Sequence, residues 1–168
     1  MTTPLATALQ GISAVFRDQP EKARTKNAPA KATLEGGLRC RVSGPHGESI
    51  ATDMPVALGG GAAAPNPGWF MRASLAACNA TVIALRAAQR GVNLTSLEVT
   101  VSSETDSRGM LGLDERVRPG MDQLKVSVKI SVPRLEADEL RQLLTWAMAH
   151  SPVGCTDLAS ATVHVEAG

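Results

Sequence analysis

Asn66-Pro67-Gly68-Trp69-Phe70-Met71-Arg72-Ala73-Ser74-Leu75-Ala76-Ala77-Cys78 is the stretch that decides how this chain folds. Asparagine is a favoured helix cap and proline a favoured first helical residue, so a helix is predicted to open at Asn66. It runs to about Gln89, and Gly91 ends it. From Ala73 to Leu85 the only polar side chains besides Cys78 are Ser74, Asn79 and Thr81. A helix that is apolar nearly all round is buried on most sides. With two Trp, two Phe and no Tyr in the chain, the core must come from Ala, Val, Leu, Ile and Met. The helix is therefore expected at the centre, covered by a sheet, with or without a second subunit.

Outward from this helix the pattern alternates. Lys31 to Ser43 reads as a strand in which Leu38, Cys40 and Val42 oppose Arg39 and Arg41. Gly44-Pro45-His46-Gly47 is a turn, and Glu48 to Asp53 returns as a second strand. Leu58 to Pro65 is a Gly/Ala loop without the Gly-Lys-Ser/Thr of a phosphate cradle. After the helix, Leu97, Val99 and Val101 alternate with polar residues, as do Leu124, Val126, Val128, Ile130 and Val132. Such alternation predicts an antiparallel sheet with one wet face. A loop with Gly109, Gly112, Pro119 and Gly120 joins the two strands. A helix over 135–149 puts Leu140, Leu143, Leu144, Ala147 and Met148 on one face. Ser151-Pro152 predicts another short helix, and Ala161, Val163 and Val165 a last strand. The order β-β-α-β-β-α-α-β is an α+β layout. Residues 1–29 read as a helical arm (4–17) and linker, and 30–168 as one domain.

Charge excludes some functions. The 17 basic and 16 acidic residues leave a net +1, too little for charge-driven binding to nucleic acid or a membrane surface. No run of about 18 unbroken apolar residues predicts a membrane span. The N-terminus lacks a basic lead and reads as mature protein. The three cysteines, Cys40, Cys78 and Cys155, form no CxxC pair. Zinc and a disulfide framework are not expected, and neither is any cofactor. Free thiols suit a reducing compartment, so a cytoplasmic setting is expected.

The element order, Pro65-Asn66-Pro67, and the Ala-rich run ending in Ala77-Cys78 resemble the OsmC/Ohr family. Ser151-Pro152-Val153 stands where that family usually has Cys-Pro-Val. The resemblance spans roughly residues 31–166. It implies an OsmC-like α+β homodimer, with antiparallel sheets wrapped around long central helices and active sites at the subunit interface. It also implies thiol-dependent reduction of organic hydroperoxides. One Cys attacks the peroxide and becomes a sulfenic acid, a second Cys resolves it, and an external dithiol restores the enzyme. A small hydrophobic peroxide is then the substrate.

On this resemblance Cys78 is the attacking thiol. Nucleophilic thiols need a pKa below the ordinary value of about 8.5, commonly with help from a cation. The family supplies an Arg from its first hairpin, held by a carboxylate just after the helix-start Pro. Here Arg39 and Arg41 are the candidates, and Gly68 replaces the carboxylate. Ser151 replaces the second Cys and cannot form a disulfide. Cys155, four residues on, is a candidate displaced resolving thiol. The plainer readings are packing for Cys40, Cys78 and Cys155 and a solvated strand face for the two arginines. Trp69, beside Gly68, is core, interface, or the wall of an alkyl pocket. A redox-inactive relative that holds a small apolar molecule is the competing function.

Overall fold

The computed structural model describes residues 4–133 and 135–165, apart from the side chain of Ser160. Helix α1 spans Pro4–Asp18. It buries Ala6 and leans on the central helix. The linker behind it holds a short 3-10 turn, Pro20–Ala23.

The stretch read as one strand over Lys31–Ser43 is two. Strand β1 (Lys31–Gly36) turns back through Gly37 and Leu38 into β2 (Arg39–Ser43), with Leu34 opposite Cys40. Gly36 and Gly37 adopt φ of 150° and 55°, which L side chains rarely reach. Alternation counted straight through this glycine pair, which is a turn signal in its own right. Strand β3 (Ser49–Thr52) adds antiparallel to β2, giving the order β1-β2-β3.

Helix α2 spans Pro67–Gln89, and Gly91 follows at φ 68°. The Asn66 side chain accepts from the Trp69 N–H at 2.8 Å, the cap its sequence predicts. By length and composition α2 is one helix able to cross a bilayer. Here it packs against α1, against the strand that follows it (β4, Ser96–Glu104) and against a later helix (α4, Ala137–Ala149), which is how a core helix uses the same composition.

Strands β4 (Ser96–Glu104) and β5 (Asp122–Ser131) form the second, two-stranded antiparallel sheet, with Val99 opposite Val128. Their inward residues alternate as the sequence predicts. The connecting loop carries a single helical turn, α3 (Ser107–Met110), capped by Asp106. Helix α4 (Ala137–Ala149) lies on α2. The core is the junction of these three layers. Ile83, Leu143 and Ala147 are fully buried there, with Val82 and Ala87 beside them. Leu97, Val99, Val128 and Ile130 close it from the sheet.

Two expectations at the C-terminus are corrected. Residues 152–155 are a turn, closed by Cys155 N–H donating to the Ser151 carbonyl at 2.9 Å, not a short helix. The next bond, from the Thr156 N–H to the Val153 carbonyl at 3.4 Å, spans three residues and not four, so no further helical turn is added. A 3-10 turn, Leu158–Ser160, comes next. Residues 161–165 form no strand, and Val163 and Val165 are 83% and 85% exposed. Alternation is not enough for a strand: its backbone needs a free sheet edge to pair with.

Candidate active site

The site is built where the middle of α2 meets the end of α4. Cys78 is half-buried on α2 and packs against the core cluster. α4 ends at His150, and the chain turns inward so that Ser151 is 1% exposed. The Ser151 hydroxyl donates to the Cys78 Sγ at 3.3 Å. That same oxygen accepts from the Gly154 N–H at 3.2 Å. The serine is thus held by its own turn and aims its proton at the sulfur. A donor so placed stabilises negative charge on sulfur. Two residues 73 positions apart, both singled out by the sequence, therefore meet.

The other candidates lie elsewhere. Cys155 is exposed, and its Sγ faces the Ala149 carbonyl oxygen at 3.5 Å. Arg39 and Arg41 share a face of β2, as the alternation predicts. Both reach Glu35 on β1, Arg41 at 2.5 Å and Arg39 at 3.4 Å. Among the described residues no hydrogen bond or ion pair joins either arginine to Cys78. Beside the site, Arg86 lies 4.2 Å over the Trp146 ring, and Trp146 stacks on His150 at 3.8 Å. His150 Nδ1 is 2.7 Å from the Trp146 carbonyl oxygen. Asn79, next to Cys78, is buried with its Oδ1 unpaired among the described residues.

Two features here escaped the sequence reading. The first is Asp53, 3% exposed at the end of β3. Its carboxylate accepts from the backbone N–H groups of Ala63 and Gly61, each at 3.1 Å, and of Met54 at 2.8 Å. The Ala63 N–H does most to hold this carboxyl below the usual range; burial opposes it, and the Met54 and Gly61 N–H groups and the Arg39 charge assist. Because the folded pKa is depressed, the carboxylate's contribution is complete above its ordinary value of 3.8 and is lost as pH falls through the folded value. The Gly61 and Ala63 amides are therefore expected to keep their hydrogen-exchange protection through mild acid and lose it only below that value. An Asp53 carboxyl shift titrating with a midpoint at or above 3.8, the group's ordinary value, would contradict this.

The second is Arg72, which lines an open cavity of about 550 Å³ between the start of α2 and the β4–β5 loop. It is the only charged residue between Asn66 and Leu85, and that isolation was the available signal. Trp69, 48% exposed, lines a smaller neighbouring recess with Asp53, Pro65 and Arg72.

A family model described as OsmC-like protein matches residues 59–166. No curated protein matches the chain. Among solved structures, the chain is similar to an OsmC-like protein from Mycoplasma pneumoniae, at 17% identity and a TM-score of 0.65, covering 78% of this chain and 86% of that one. An organic hydroperoxide resistance protein OsmC from Legionella pneumophila is 25% identical with a TM-score of 0.57, over 78% of this chain and 88% of that one. An organic hydroperoxide resistance protein from Elizabethkingia anophelis, with thiocyanate bound, is 20% identical with a TM-score of 0.58, over 78% and 87%.

Proposed function

This chain belongs to the OsmC-like protein family, and from that membership we propose that it reduces organic hydroperoxides with Cys78 as the nucleophile. The observation that carries the reading is the buried Ser151 hydroxyl aimed at the Cys78 sulfur from 3.3 Å. The hydroperoxide resistance proteins of similar fold point to the same substrate class.

The Cys78 thiolate attacks the terminal oxygen of a small hydrophobic hydroperoxide. A sulfur–oxygen bond forms as the oxygen–oxygen bond breaks, and the alkoxide leaves as an alcohol after taking a proton. Sulfur is oxidised to sulfenic acid and the peroxide is reduced. Ser151 supplies the hydrogen bond that steadies charge on sulfur but holds no second sulfur. A second thiol must then attack the sulfenic sulfur and expel water, forming a disulfide that an external dithiol reduces. Cys155, in an exposed turn four residues from Ser151, is the candidate we assign to that second thiol. A reducing, cytoplasmic setting suits three free cysteines.

We infer a homodimer as the working form. The β1-β2-β3 sheet leaves β1 exposed along its whole length, with Leu34 64% and Ile50 44% exposed. A second copy that covers this sheet would remove that apolar surface from water. In such an assembly the sheet carrying Arg39 and Arg41 lies over the other protomer's helices, and one of these arginines supplies the cation for the thiolate.

One equivalent of cumene hydroperoxide followed by dimedone tests the first step. A dimedone adduct on Cys78 is expected, and its absence with Cys78 still a free thiol overturns the reading. Mapping disulfides in the same digest assigns the second step. A Cys78–Cys155 link makes Cys155 the resolving thiol, and its absence leaves that role to the external thiol.

A further inference from the structure

We propose that the cavity at the start of α2 binds an amphipathic monocarboxylate, with its carboxylate on Arg72 and its alkyl tail in the apolar lining. The inference does not use the thiol, although Gly68, which stands where the resemblance puts the family's active-site carboxylate, lies on the wall of this cavity.

The anchor is an arginine without an acid. Arg72 is half-buried, and no carboxylate lies within ion-pair distance of it among the described residues. Its Nη1 touches only neutral groups, the Ser103 Oγ at 3.3 Å and the Met121 Sδ at 3.8 Å. A thioether is a weak acceptor, and a guanidinium carries five N–H donors. The remaining donors have no protein acceptor among the described residues. A partly buried cation in this condition favours an anion as guest.

Glycine at position 68 leaves the space for that anion. A Cβ built there would stand 3.7 Å from the Arg72 Nη1 and 2.9 Å from the Met121 Cε. A side chain at position 68 would therefore take up room beside the guanidinium and displace the Met121 methyl. The hydroxyls of Ser103 and Ser107 line the same cavity and can donate to a second carboxylate oxygen.

Away from Arg72 the walls are apolar and pliable: Met54, Leu58, Met110 and Met121. Methionine fits irregular alkyl shapes. The volume, about 550 Å³, is in the ordinary range for small-molecule sites, roughly 300–1,000 Å³. One guanidinium balances one negative charge, so a carboxylate suits the site better than a doubly charged phosphate monoester.

Calorimetric titration of the full-length protein with decanoate tests the proposal. Saturable binding is expected, and decanol, with the same tail and no charge, should bind at least roughly tenfold more weakly. Arg72→Gln should weaken decanoate by roughly ten- to a hundredfold while leaving decanol unchanged. Gly68→Glu places an acid beside Arg72 within the chain and should exclude decanoate even where Arg72→Gln folds poorly. Thermal melts of each variant establish that it is folded. No binding, equal affinity for decanol and decanoate, or full affinity in Gly68→Glu overturns the proposal. Cys78→Ser should bind decanoate as the parent does, so a failed peroxidase assay and a failed titration speak to different claims.

Discussion

Cys78→Ser is expected to bring organic hydroperoxide consumption, with a dithiol donor present, down to the rate of buffer alone. The change removes one sulfur and keeps a small hydrogen-bonding side chain at a half-buried position beside Ser151. The fold should hardly notice it, because serine can still accept the Ser151 hydroxyl's bond. The chemistry should notice it completely. A serine oxygen is a poor nucleophile without a base to take its proton, and no such pair stands beside it here: the Ser151 hydroxyl is a donor to this position and accepts from Gly154. The alcohol product and the loss of hydroperoxide are both measurable, so the comparison needs no label. Equal, slow consumption by parent and variant would remove the enzyme reading. It would leave a family scaffold whose thiol is packing and whose function lies in ligand binding.

Leu143→Ala is expected to produce the largest loss of stability from a single truncation. Leu143 is fully buried where α4 meets α2 and the β4–β5 sheet, in contact with the cluster around Ile83. Removing its outer carbons loses transfer free energy and leaves a cavity, together about 2–5 kcal/mol. For a chain of this length each kcal/mol lowers Tm by about 2–4 °C, so a fall of roughly 6–12 °C is expected for a loss near 3 kcal/mol. The control is Val163→Ala, at 83% exposure in the unpaired tail, where the change should stay within about 0.5 kcal/mol. Chemical denaturation of both variants, read as midpoints at unchanged slope, checks the contrast. A Leu143→Ala midpoint indistinguishable from that of Val163→Ala would mean that the three-layer junction is not where the stability resides.

The central helix was legible because several local signals agreed on it: a capping Asn66, Pro67 behind it, an apolar run and a stopping Gly91. The β4 and β5 strands and α4 were equally plain, since each has a whole face of regular alternation or helical spacing. Each of these features lies within one element and is decided by residues a few positions apart. The errors fell where that condition fails. Lys31–Ser43 was one strand by alternation and two strands in fact, because a pair of glycines at positive φ outweighs a pattern that continues on either side. Residues 161–165 alternate well and still make no strand, since pairing depends on an edge that local sequence does not describe.

The candidate site divides in the same way. From the sequence alone came an α+β chain, the helix that carries Cys78, and five candidate positions, Cys78, Ser151, Cys155, Arg39 and Arg41, with no means of choosing among them. Only the folded chain decided that Ser151 points its proton at Cys78, that Cys155 turns toward a carbonyl instead, that Arg39 and Arg41 share Glu35, and that Arg72 faces a cavity without an acid. Periodicity and capping are written in neighbouring residues, whereas the meeting of side chains 73 positions apart depends on how all the layers pack at once.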